Sequence, residues 1–157
     1  MSYYDHPAAN WSTIKWLRES ALAYKYRLDQ PPADTQAFAL GRATHTLVFE
    51  PGLFDAEYVI WTGGTRRGKE WDAFRADNEG RTILRDEDAD LAVAMADAVR
   101  RHPLVQPYLD EGVFEQPVFW TDAETGIACK GKPDWIIPGS KVLLDLKTCR
   151  SINGRRS

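Results

Sequence analysis

Gly131-Lys132-Pro133-Asp134-Trp135-Ile136-Ile137-Pro138-Gly139-Ser140-Lys141-Val142-Leu143-Leu144-Asp145-Leu146-Lys147 is the stretch on which the fold turns. Ile127 to Ile137 reads as one strand, Pro138-Gly139 as a turn, and Val142, Leu143, Leu144 and Leu146 as the next strand, apolar enough to be central in a sheet. Asp145 and Lys147 interrupt that strand at positions i and i+2. A strand alternates faces, so both side chains project to one side while Leu144 and Leu146 point to the other. A lone charge on a buried strand is costly and needs partners. Asp134 lies eleven residues before Asp145, and a turn at Pro138-Gly139 brings the two carboxylates to one end of the sheet.

Two carboxylates converging on a point repel unless a cation neutralises them. Mg²⁺ suits such a site, being hard and content with one or two carboxylates plus waters and phosphate. Lys147 beside it either orients or deprotonates an attacking water, or stabilises charge developing on phosphorus. The set is equipped for metal-assisted hydrolysis of a phosphodiester. The blander reading is a surface Asp134 and an Asp145–Lys147 pair that merely solvates an edge strand. Asp-x-Lys alone is common; Pro-Asp about ten residues ahead of it, with an apolar strand leading in, says more.

Upstream, Val113 to Thr121 reads as a strand and Asp122 to Gly126 as the turn of a hairpin with Ile127 to Ile137. The preceding two-thirds are helical. Trp11 to Leu28 carries Ile14, Leu17, Ala21, Tyr24 and Leu28 at helical spacing and stops at Pro31-Pro32. Thr35 to Phe49 is a second helix, ended by Pro51, with Phe38, Leu40, Thr44, Leu47 and Val48 as its apolar surface. A short helix is expected near Glu70 to Asn78. Asp86 caps another through about Arg101, with Leu91, Val93, Ala94, Met95, Ala98 and Val99 on or near its buried stripe. Pro103 opens a last helical turn ending near Leu109. The expected class is α+β: a helical N-terminal two-thirds packed on a small mixed sheet formed by the C-terminal third, in one domain over residues 1–157.

At 157 residues the chain can bury a core without disulfides or a structural metal. Its two cysteines, Cys129 and Cys149, show no paired spacing, which argues against a zinc ribbon or an iron–sulfur cluster. No apolar run of membrane-spanning length occurs, so no membrane role is expected and a cytoplasmic protein follows by default. The net charge of −3 lends no global support to nucleic-acid binding. Arg66, Arg67 and Lys69 read first as a solvated basic loop and second as a grip on phosphates. Arg150, Arg155 and Arg156 suit phosphate contact equally loosely. Trp61, Trp71, Trp120 and Trp135 read as packing rather than base-stacking residues.

Gly41-Arg42-Ala43-Thr44-His45, Glu115-Gln116-Pro117-Val118-Phe119-Trp120, Gly131-Lys132-Pro133-Asp134 and Leu144-Asp145-Leu146-Lys147-Thr148 stand in the order found in the RecE (exonuclease VIII) family of PD-(D/E)xK phage-type exonucleases, which the chain resembles over most of its length. The resemblance implies a restriction-endonuclease-like core and a Mg²⁺-dependent exonuclease, with Mn²⁺ as a substitute. It implies 5′→3′ action on double-stranded DNA, often as a homo-oligomer, alongside a single-strand annealing protein in recombination. It implies Asp134 and Asp145 as metal ligands and Lys147 as the catalytic lysine. His45 becomes a further metal ligand from a helix, although such a histidine alone is more often solvated or hydrogen-bonded. Glu115 matches as well, either as support to the ligands or as an additional carboxylate. Gly41, one turn before His45, suits a close helix–sheet approach or plain packing. Family members continue well beyond Lys147, with a helix carrying Gln and Tyr, so a chain shortened at its C-terminus is expected. The alternatives are a non-catalytic relic or DNA-binding module of the same fold, and another PD-(D/E)xK repair nuclease.

Overall fold

Caps and breakers, more than apolar stripes, decide where the elements of this chain begin and end. The computed structural model describes residues 3–30 and 33–149, and shows an α+β protein. The proline stop at Pro31-Pro32 and the tail arginines Arg150, Arg155 and Arg156 lie outside the described residues. Two compact units divide the chain, each built from two separate stretches: Met1–Ala33 with Val113–Leu144, and Asp34–Gly112 with Asp145–Ser157.

In the first unit the expected single helix over Trp11 to Leu28 is broken. Helix α1 (Trp11–Ile14) passes into a 3₁₀ turn over Lys15–Arg18, and α2 (Ala21–Asp29) starts afresh. Ser20 causes the break: its hydroxyl accepts the Ala23 N–H at 3.0 Å, an N-cap that competes with helix continuation. None of these turns buries a residue, and Leu17 and Leu28 of the expected stripe are 47% and 51% exposed.

The strands of this unit are β3 (Val113–Phe114), β4 (Val118–Thr121), β5 (Ala128–Gly131), β6 (Trp135–Ile136) and β7 (Leu143–Leu144). They form two antiparallel sheets, β4-β5 and β3-β6-β7, where one mixed sheet was expected. The two long strands of the hairpin are each interrupted at the same height. Phe114 faces Trp135 and Val118 faces Gly131, so the register is unchanged across the gap, and Glu115, Gln116 and Pro117 stand opposite Asp134, Pro133 and Lys132. Pro117 and Pro133 supply no N–H to a ladder, and Glu115 adopts φ +46°, which no regular strand tolerates. The third strand is also shorter and differently placed than its sequence suggests. β6 is central and β7 lies at the side, with Leu143 64% exposed.

In the second unit α3 (Gln36–Phe49) matches expectation, with the Thr35 hydroxyl accepting the Phe38 N–H at 3.2 Å. It packs on α6 (Asp86–Arg100), whose first turn carries Asp86, Glu87 and Asp88, favourable near the helix N-terminus. The interface is not made of the large apolar residues. Ala39 and Ala43 of α3 meet Ala89 and Ala92 of α6 in the core, whereas Phe38, Leu91 and Val93 are exposed. Small side chains let two helices come close, so the buried stripe is displaced from the one that hydrophobicity alone selects. The short α4 (Phe54–Glu57) leads into β1 (Tyr58–Trp61), which pairs in parallel with β2 (Thr82–Arg85). The connection runs through α5 (Lys69–Asp77), a helical crossover of the kind that parallel strands require. Tyr58 and Leu84 join the alanine core, with Leu40, Leu47 and Phe54 packed against it. The short α7 (Gln106–Leu109) follows.

Candidate active site

The interruption of the β4–β5 and β3–β6 hairpin brings together two of the residues singled out in the sequence. The Glu115 amide donates to the Asp134 carbonyl at 3.0 Å, holding the ladder closed where both strands lose regularity. Glu115 is the one non-glycine residue with positive φ among the described residues. Its carboxylate is ion-paired with Lys132, whose ammonium also donates to the Tyr4 hydroxyl at 3.3 Å. Burial works against the charge of Lys132, but the bonds to Glu115 and Tyr4 outweigh it and hold the ammonium above its ordinary range.

Lys130, two residues earlier on β5, is 6% exposed and has its own set of partners. Its ammonium donates to the carbonyls of Tyr3, Tyr4 and His6 at 2.8, 3.3 and 2.8 Å, which meets the cost of burying it. Ala9 bridges in parallel to Cys129, its N–H donating to Ala128 and its carbonyl accepting from Lys130. The N-terminal segment is thereby fastened along β5. Neither Lys130, Lys132 nor the tyrosines stood out in the sequence. The signal for Lys132 was present, since it lies inside the quoted Gly131-Lys132-Pro133-Asp134.

Asp134 immediately precedes Trp135 and Asp145 immediately follows Leu144, and these two neighbours face each other across the β6–β7 hairpin. Asp145 and Lys147 lie beyond β7 with no ladder of their own. Their side chains still meet, the Lys147 Nζ lying 2.6 and 2.5 Å from the two Asp145 carboxylate oxygens. The expected common side for Asp145 and Lys147 therefore holds without a strand to impose it.

The same unit contains α3, which carries Gly41 and, one turn on, the half-buried His45. A Cβ on Gly41 would stand 3.2 Å from the Thr148 hydroxyl, so the segment carrying Asp145 and Lys147 runs close against α3 there. The His45 ring lies edge-on to Phe49 at 6.0 Å. Among the described residues no group of three or more His, Cys, Asp and Glu gathers as a metal site. Glu115 and Asp134 belong to one unit, and His45, Asp145 and Lys147 to the other.

Of the basic cluster, Arg67 and Lys69 are exposed as expected and Arg66 is not. Arg66 is half-buried, bonds the Ile83 carbonyl at 2.9 Å and lies 5.3 Å over the Trp71 ring. It braces the second unit and is neither a solvated loop residue nor a free grip for phosphate. Trp61 packs edge-on to Trp71 at 5.4 Å, as expected of a packing residue, while Trp120 is half exposed.

The family described as "PDDEXK-like domain of unknown function (DUF3799)" matches residues 11–157. The chain belongs to that family. No curated protein matches it. Membership places this PDDEXK-like domain in a nuclease-type superfamily. Nucleases of that superfamily usually use divalent metals, ions that carboxylate oxygens and imidazole nitrogens suit as donors. No helix among the described residues is long and apolar enough to cross a membrane.

Proposed function

We propose that this chain is a metal-dependent deoxyribonuclease that hydrolyses phosphodiester bonds in double-stranded DNA. The observation that carries the proposal is the PDDEXK-like family match over a chain in which Asp134 and Asp145 flank the paired residues of one hairpin. Asp134 and Asp145 hold the metal, Mg²⁺ or Mn²⁺, with His45 as a further ligand and Glu115 as an additional carboxylate or support. When bound, the metal polarises the phosphate and makes water a better nucleophile. In the hydrolysis, the water oxygen bonds phosphorus, the phosphorus–oxygen bond to the sugar breaks, and the leaving oxygen takes up a proton. Lys147 carries its ammonium beside Asp145, where it stabilises the negative charge that builds on phosphorus.

The finer reading follows the resemblance to RecE-type enzymes. It is an end-dependent 5′→3′ exonuclease of phage or prophage recombination, oligomeric and paired with a single-strand annealing protein. The two levels separate in one experiment, in which linear and closed circular duplexes are incubated with the protein and Mg²⁺ or Mn²⁺. Loss of the linear form alone supports an exonuclease, and cutting of both supports an endonuclease of the same superfamily. A folded protein that releases nothing from either leaves a non-catalytic member of the fold.

A further inference from the structure

Lys132 has no part in the signature, yet its ammonium gathers the contacts around the hairpin interruption. Its side chain is 20% exposed, ion-paired with Glu115 and bonded to the Tyr4 hydroxyl. The ammonium also lies 5.3 Å from the Tyr4 ring and 6.0 Å from the Tyr3 ring, which themselves meet edge-on at 5.3 Å. The backbone carrying those tyrosines is fastened from below by Lys130. Glu115, at the other end of the ion pair, sits in a left-handed conformation that L side chains rarely adopt. Such conformations persist where the surroundings over-determine them, and here the determinants are the Asp134 carbonyl and the Lys132 ammonium. An exposed ion pair would add little, but this one is largely enclosed on the lysine side.

We propose that Lys132 is a positioning residue, whose ion pair fixes the Glu115 carboxylate at the bend opposite Asp134. The catalytic half of this inference rests on the nuclease reading of Glu115 and Asp134; the geometric half stands without it. Lys132 acts through Glu115 and not on the substrate, so its loss should touch turnover and leave DNA affinity alone.

Wild type is compared with Lys132→Met, Lys132→Arg, Glu115→Ala and the Lys132→Met/Glu115→Ala double variant. Amide hydrogen exchange and steady-state cleavage of linear duplex in Mn²⁺ are measured for each, with Lys132→Gln replacing Lys132→Met should the latter not fold. Lys132→Met is expected to strip protection from the Glu115 amide while the β4 and β5 amides stay protected. It should also lower kcat by about 10- to 100-fold with KM unchanged, the usual toll of losing a partner that supports a site. Lys132→Arg should recover most of both effects. Adding Lys132→Met to Glu115→Ala should cost little more, because residues acting through one contact are not additive. Unchanged exchange at Glu115, an unaltered kcat, or losses that multiply in the double variant would each overturn the proposal. If wild type cleaves nothing, the nuclease reading falls, and the exchange comparison alone decides whether Lys132 holds Glu115.

Discussion

Glu115 shows what a single residue can hide from its sequence. A glutamate in a run of strand-forming residues gives no hint of φ +46°, because the bend is imposed by a carbonyl and an ammonium that arrive from the facing strand. The left-handed region costs an L residue roughly 1–2 kcal/mol, and glycine escapes that cost. Glu115→Ala and Glu115→Gly both lose the pair with Lys132, so their difference isolates the backbone. Glu115→Gly should be the more stable by about 1 kcal/mol, a reversal of the usual order within a strand. Urea unfolding of the two variants reads this directly, and an alanine variant as stable as the glycine one would show that the bend relaxes. What was legible at this scale was the meeting of Asp145 and Lys147, because charges two residues apart in an apolar run need a partner. The partner of Glu115 was not, since Lys132 meets it only after the chain has folded.

Elements were legible where a cap or turn stated itself and lost where packing chose among apolar residues. Thr35 announced α3 and the Asp122–Gly126 turn announced the hairpin. The stripe of α6 was misread because alanines, not leucines, face α3, and the β1–β2 pair went unseen because four-residue strands in a helical stretch carry little period. A Cβ on Gly41 of α3 would meet the Thr148 hydroxyl in the segment beyond β7. Gly41→Ala gains about 1 kcal/mol of helix propensity and spends much of it on the contact at 3.2 Å with Thr148. Gly41→Val adds bulk and a β-branch, so its melting temperature should fall below both alanine and wild type; equal melting for valine and alanine would mean the contact yields freely. At the hairpin turn, the Thr125 hydroxyl and amide hold the Asp122 carboxyl below the usual carboxylate range. Its contribution is complete above the ordinary aspartate pKa and is lost as pH falls through the lowered value. The Thr125 amide resonance should therefore shift on acidification below that ordinary range, and the step should vanish in Asp122→Asn.

Over the whole molecule, the chain crosses between the two units three times, and Asp134 falls with the first and Asp145 with the second. The net charge of −3 gives DNA no general attraction, so any grip on DNA would rest on local basic groups. The sequence resembles one finer family, the RecE type, whereas the family match supports the PD-(D/E)xK superfamily and stops there. Lys147 offers the cleanest separation of chemistry from fold. Its side chain is 75% exposed and its pair with Asp145 is open to solvent, so the pair is worth at most about 1 kcal/mol. The decisive measurement is release of nucleotides from linear duplex DNA in Mn²⁺ by wild type and Lys147→Ala, with thermal melting recorded on the same samples. Release by wild type, none by Lys147→Ala, and melting temperatures within about 4 °C of each other are expected. Release by Lys147→Ala at the wild-type rate would overturn the role given to Lys147.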